Sequence, residues 1–433
     1  MFILLFVACV CLMLHNKLNI IPLYLICSVW VNTDVRLGVG GVSFIFALSF
    51  VGIILLSTCK RTCRTAIDHD VKSFFIYYFS IILLFILLSS GMGVLSQLNA
   101  VKSSLAILLG LFIWKARIDK RKIHVWHKYV YVALLAVCIY GVFSYVTGTN
   151  IYIDLIKDYC TSEKLAEVAV KSMDDGRGLL KGRISGTSLY TIQYGILMCI
   201  CFYYVFFVNT IKDNVANVVL MFLIFVNVYL TGSRGPLFAL ILALLFYFLR
   251  KSTLKTNIKY ALWTGFIILC FSQILIKYFS FMVSDDVQGS SVEGRSVQFL
   301  GALSIVQDNW RTLLFGKGFS YISEYIAKNG PHPLALYFES THVSGIVTYG
   351  IMGLIFIFLG SYVLMSYLVW RARKERMIDR NKSILLFSYV MLSMLYGILV
   401  GNVYTQLHII TFFILLKYSV VLHQTESEQL VND

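Results

Sequence analysis

Five side chains in this sequence are equipped for chemistry: Arg183, Arg234, Arg295, Glu339 and His342. The arginines lie within or beside apolar stretches. Guanidinium stays charged in a low dielectric and grips phosphate oxygens in pairs, so arginines gathered at one membrane face suit a phosphate or pyrophosphate ligand. Glu339 and His342 stand three positions apart. On a helix they would share one face, and either is a candidate general base toward a hydroxyl. The ordinary alternatives are that Arg183 and Arg295 snorkel to headgroups or pair with Asp174, Asp285 or Glu293, and that His342 caps a helix at the interface.

Arg234 is the most telling of the five. It stands in Thr231-Gly232-Ser233-Arg234-Gly235-Pro236, between apolar runs at 218–230 and 237–249. An arginine at membrane depth costs about 2.5–3.5 kcal/mol on insertion scales and usually marks a function. The two glycines and the proline break the helix there and free backbone N–H groups beside the guanidinium. The competing explanation is a tight turn at the membrane face with Arg234 in the headgroups.

The elements that must hold these residues are membrane spans. The chain has 433 residues, 58% of them hydrophobic and only 14% charged, with a mean hydropathy of +0.78. A soluble domain carries roughly a quarter charged residues. The net charge of +15 does not indicate nucleic acid, because the basic residues cluster in short loops. These are Lys60-Arg61 with Arg64, the stretch 115–122, Arg250-Lys251 and the stretch 371–376. Such loops follow the positive-inside rule, with some attraction to anionic membrane lipid.

The expected fold is an all-α polytopic membrane protein with about 12–13 transmembrane helices, judged by apolar runs near 20 residues, and two long extracytoplasmic loops. Residues 1–146 hold the N-terminal spans, starting with short ones at 2–14 and 20–31. Residues 147–185 form the first loop, with an amphipathic helix expected at 151–173. Residues 186–283 hold the central spans, at 187–208, 218–230, 237–249 and 260–283, with the Arg234 turn among them. Residues 284–341 form the large loop, with helices expected at 297–307 and 320–328 around a break at Gly316-Lys317-Gly318. Residues 342–422 hold the C-terminal spans, at 343–370, 383–400 and 404–422, and 423–433 form a cytoplasmic tail. Placing every basic loop inside puts both long loops and the Arg234 turn outside. Thirteen spans with an inside C-terminus put the N-terminus outside, unless one early segment is re-entrant. Residues 2–14 lack the basic flank and cleavage site of a signal peptide and read as a first span.

Other chemistries lack support. There is no P-loop, HExxH or GxSxG string, and no clustered Cys/His set for a metal. Most of the ten cysteines sit inside spans; Cys160 is the one expected in an outer loop, and Cys59 and Cys63 are too isolated for a zinc site. Tyr321, Tyr325 and Tyr337 either stack on sugar rings or pack the large loop on the membrane.

Four strings in order carry a family resemblance: Gly182-Arg183-Ile184-Ser185-Gly186-Thr187, then Thr231-Gly232-Ser233-Arg234-Gly235, then Arg295 leading to Gly316-Lys317-Gly318. The last is Glu339-Ser340-Thr341-His342 running into Tyr349-Gly350-Ile351-Met352-Gly353. Their order and topology, from about Arg183 to Gly353, resemble the bacterial O-antigen polymerase and ligase superfamily. The resemblance implies a GT-C-like glycosyltransferase in the bacterial inner membrane that acts on undecaprenyl-pyrophosphate-linked oligosaccharide without a metal or cofactor. It implies that Arg234 and Arg295, assisted by Arg183, hold the pyrophosphate, and that a chain-length regulator protein is a partner. Ligases carry His-Asn about three turns before the glycine that Gly350 matches. Counting back from Gly350 reaches Glu339-Ser340 instead, which favours a polymerase over a ligase and leaves the base open between Glu339 and His342. A flippase for the lipid-linked unit is the alternative of another class; it fits less well because the charges concentrate in two long loops.

Overall fold

The computed structural model describes residues 1–31, 35–37, 42–59, 65–88, 104–156, 159, 182–210, 214–251, 292–318, 321–322, 341–399 and 405–432, the side chains of 292–296, 341, 399 and 425–432 excepted. The described chain is helical, and its only strand-like pairing is one isolated bridge between Arg36 and Ser43. In chain order the helices are α1 (Phe2–His15), α2 (Ile20–Trp30), α3 (Phe44–Ser57), α4 (Asp68–Leu88), α5 (Leu108–Lys115) and α6 (Lys120–Thr147). Then come α7 (Ile151–Ile156), α8 (Thr191–Asn209), α9 (Val215–Leu230), α10 (Arg234–Lys251), α11 (Val292–Val306) and α12 (Trp310–Phe315). The last are α13 (Thr341–Gly353), α14 (Gly360–Lys374), α15 (Arg380–Leu399) and α16 (Thr405–Asn432). Every expected span contains a described helix except 260–283, which lies outside the described residues. Among the described residues six stretches are long and apolar enough to cross a bilayer, and α1, α3 and α9 are shorter apolar helices.

Hydropathy makes these helices, and polar side chains stop them. Asp119 caps α6 by accepting from the Arg121 N–H, and Gly148 ends that helix in the left-handed region (φ +67°). Asn214 caps α9 through the Ala216 N–H, and Asp379 caps α15 through the Lys382 N–H. Between spans, lipid provides no hydrophobic driving force, so close packing and buried hydrogen bonds hold the bundle. Asn227 of α9 shows how. It is fully buried, donates to the Cys138 carbonyl of α6 (3.1 Å) and accepts from the Tyr194 hydroxyl of α8 (2.9 Å). Gly141 of α6 permits this approach, since a Cβ there would strike the Asn227 side chain.

Long-range contacts sort the helix ends into two levels. At the basic level, Lys17 donates to Thr58 at the end of α3 (2.5 Å), and the Trp114 indole donates to Asp68 at the start of α4 (2.7 Å). Arg371 pairs with Asp70 (3.5 Å) and with Glu375 (2.9 Å) at the same level. At the opposite level, the Phe2 ring meets Phe44 (6.5 Å) and Tyr159 (5.1 Å), and Arg311 donates to the carbonyl of Leu88, the last residue of α4. The first residues of α1 therefore lie with Tyr159 of the first long loop and away from the basic loops.

Two expectations are corrected. The run 343–370 is apolar throughout and reads as one span, but the backbone turns at Gly350 (φ +69°, ψ −173°). The His342 and Phe358 rings are 4.9 Å apart, whereas sixteen residues of straight helix would separate them by about 24 Å. The first part of α13 thus folds back onto the descending span, which continues through a π-helical stretch (Leu354–Leu359) into α14. Hydropathy cannot register such a hairpin because both arms are apolar. Second, α8 starts at Thr191 rather than at 187, because 182–190 is an irregular segment held by side chains. In the loops, α7 covers Ile151–Ile156 of the expected 151–173 helix, and α11 covers Val292–Val306 where 297–307 was expected. Of 320–328 only residues 321 and 322, both helical, are described.

Candidate functional site

The first and second strings form one buried unit at the level opposite the basic loops. Arg183, only 6% exposed, reaches across from the irregular segment to the end of α9. Its Nε donates to the Thr231 carbonyl (2.9 Å), and its Nη2 donates to the Thr191 hydroxyl (2.5 Å) and the Ser233 hydroxyl (3.1 Å). The Ile184 N–H donates to the Leu230 carbonyl (3.2 Å), and the Ser233 N–H donates to the Thr231 hydroxyl (3.1 Å). Gly232 is left-handed (φ +61°), and a Cβ on it would press on the Arg183 side chain at 3.1 Å. Only glycine takes that conformation freely.

The segment that carries Arg183 is tied down by polar groups from distant helices. Asn150, 8% exposed, donates to the Ser185 hydroxyl and the Gly186 carbonyl, each at 2.9 Å, while its own Oδ1 accepts from the Tyr140 hydroxyl (2.6 Å). The Thr187 hydroxyl donates to the Val29 carbonyl (2.6 Å). Apart from the half-buried Tyr140, these groups are buried, where a missing partner would cost about 1–3 kcal/mol. The network therefore fixes both the segment and the turn it supports. Asn150 and Thr191 escape a reading by residue type, because an asparagine and a threonine at span ends are commonplace, and Ser233 stands out only as a member of the second string.

Arg234 is the first residue of α10, immediately after this knot, and is half-buried. Pro236 falls in the first helical turn, where its missing N–H costs nothing. A guanidinium at a helix start adds its charge to the positive end of the helix dipole, so this corner favours an anion.

The third and fourth strings form a second unit. α12 is closed by a capping box between Asn309 and Thr312, and its chain leaves through Gly316 (φ +77°) and Gly318 (φ +102°). The Lys317 N–H donates to the Val347 carbonyl (2.8 Å) and the Gly318 N–H to the Thr348 carbonyl (3.1 Å). A Cβ on Gly316 would collide with the Thr348 carbonyl, and one on Gly350 with the Leu314 carbonyl. The two glycines thus let α12 and α13 meet backbone to backbone. Ala302, Ile305 and Val306 of α11 pack on Ile346 and Val347 of α13 as a small second core. Lys317 is paired with Asp308. Phe85 of α4 meets Phe315 (6.0 Å) and Tyr349 (6.2 Å), which sets this unit at the Leu88 level.

His342 begins the hairpin arm, with its ring against Phe358 (4.9 Å), Tyr362 (6.4 Å) and the backbone of Gly397. Arg295 belongs to α11, and its side chain lies outside the described residues, as do Glu339, Asp174, Asp285 and the side chain of Glu293. Tyr325, Tyr337, Cys63 and Cys160 are likewise outside them. The structure therefore brings Arg183 to the Arg234 turn, and Gly316-Lys317-Gly318 to the Gly350 bend. Among the described residues no group of three or more His, Cys, Asp or Glu side chains is placed to hold a metal ion. Cys9 and Cys27 face each other as free thiols, with sulfurs 3.7 Å apart.

Fold and hydropathy together define a polytopic α-helical membrane protein. No family model and no curated protein matches the chain.

Proposed function

We propose that this protein is a polysaccharide polymerase of the bacterial inner membrane. It would transfer a growing O-antigen or capsular glycan from undecaprenyl pyrophosphate to a new lipid-linked repeat unit at the outer face. The carrying observation is the buried knot of Arg183, Thr191, Thr231 and Ser233, which sets Arg234 at a helix start on the side opposite the basic loops. Arg234 holds the pyrophosphate together with Arg295, and Arg183 acts as a positioning residue, since its donors go to protein acceptors. The acceptor hydroxyl attacks the anomeric carbon, and its proton passes to a base. The bond from that carbon to the pyrophosphate oxygen breaks, and its electron pair leaves on the pyrophosphate. Glu339 is the better base, because His342 packs its ring on Phe358 and Tyr362. No metal or cofactor is invoked. A chain-length regulator would act as the protein partner.

Deleting the gene is the test. A polymerase deletion leaves surface lipopolysaccharide carrying a single repeat, and an unchanged ladder of chain lengths overturns the proposal. A ligase deletion would instead leave bare lipid A core while lipid-linked polymer accumulates. A flippase deletion would trap lipid-linked units on the inner leaflet.

A further inference from the structure

A second polar site lies at the other end of the bundle, among the basic loops. α8, α10 and α15 meet there around a cavity of about 240 Å³, far more than the ~30 Å³ share of one water. Its wall holds two lysines. Lys382 is 5% exposed, with its ammonium 3.1 Å from Asp379, and Lys251 places its ammonium 5.6 Å from the centre of the Tyr247 ring. Among the described residues Asp379 is the one acidic group in the wall, and it also accepts the Lys382 backbone N–H (2.7 Å) as the cap of α15. Tyr247 is 1% exposed, and its hydroxyl has no hydrogen-bond partner. Tyr247 lines the cavity, and an unpaired hydroxyl in that wall, with the Lys251 ammonium over its ring, is a donor awaiting an acceptor. Beyond the cavity, α10 presents Phe238, Ile241, Leu245, Phe248 and Leu249 on its exposed surface, and Phe248 also lines the cavity.

We propose that this cavity holds the phosphodiester headgroup of an anionic phospholipid of the inner leaflet, with its acyl chains along the exposed apolar face of α10. Lysines at a helix junction on the positive-inside face suit such a headgroup, and the aromatic rim suits the chain below it. The site is independent of the polymerase proposal and uses none of its residues.

The test is native mass spectrometry of the full-length protein in detergent, with phosphatidylglycerol, phosphatidylcholine or inorganic phosphate added at equal ionic strength. Phosphatidylglycerol should remain bound at least fivefold more than phosphatidylcholine. Lys251→Gln, at an exposed position, should cut that retention at least fivefold. Tyr247→Phe should reduce it without lowering the melting temperature. Equal retention of the two lipids, or equal retention by wild type and both variants, would overturn the site. Displacement of phosphatidylglycerol by millimolar inorganic phosphate would overturn the lipid assignment in favour of a free phosphate.

Discussion

Replacing Arg183 by lysine keeps the charge and most of the length, but removes the fork that serves three acceptors at once. A lysine presents one nitrogen, so it satisfies one of Thr231, Thr191 and Ser233 well and leaves the others weakened. Each hydrogen bond to a charged group contributes about 1.5–3 kcal/mol. With two lost and partly replaced by local rearrangement, the turn should be destabilised by about 3 kcal/mol. Since 1.4 kcal/mol is a factor of ten, opening of the turn should become roughly 100-fold more frequent. Hydrogen exchange reads this directly. The amides of Ile184, Gly232 and Ser233 donate to the Leu230 and Tyr229 carbonyls and the Thr231 hydroxyl, and all should lose protection by that factor. Amides within α3, remote from the knot, should be unchanged. Exchange at 229–236 within twofold of wild type would refute Arg183 as the residue that holds this turn.

Three further variants have expected outcomes. Gly350→Ala should sharply reduce the folded fraction recovered in detergent, because positive-φ extended backbone, essentially confined to glycine, costs a side-chain-bearing residue about 1–3 kcal/mol and the added Cβ meets the Leu314 carbonyl; wild-type recovery and melting would contradict the hairpin. Arg234→Lys should fold normally yet abolish long-chain polymer, since a point charge cannot grip two phosphate oxygens as a fork does; full chain length in this variant would remove Arg234 from the site. Glu339→Gln should slow polymerisation by about 10²–10⁴, the usual contribution of a general base, whereas His342→Gln should slow it less than tenfold; the reverse order would move the base to His342.

Much of the fold was legible because lipid imposes a simple rule. A span must be apolar and helical over about 20 residues, and basic residues stay on one side. That rule placed the helices that match 218–230 and 383–400 within a few residues, and it put the Arg234 turn opposite the basic loops. It failed where polar side chains decide the backbone. The segment 182–190 looked like a span entrance, but Arg183, Ser185 and Thr187 find partners at the end of α9, on α2 and on Asn150, which lie 35 to 158 residues away in sequence. The hairpin at Gly350 was invisible for the opposite reason: hydropathy is continuous through both arms, and only the glycine marks the bend. The strings singled out by residue type proved to be paired, the first with the second and the third with the fourth. Composition alone could not have joined them, since each pairing draws on backbone carbonyls that any residue supplies.

The most direct measurement is transfer by the purified protein in lipid vesicles, supplied with undecaprenyl-pyrophosphate-linked repeat units and nothing else. The account predicts a ladder of lengthened lipid-linked glycans, one undecaprenyl pyrophosphate released for each bond formed, and no product from the Arg234→Lys protein. Unchanged repeat units with an active control enzyme present, or transfer only when lipid A core is supplied, would contradict it.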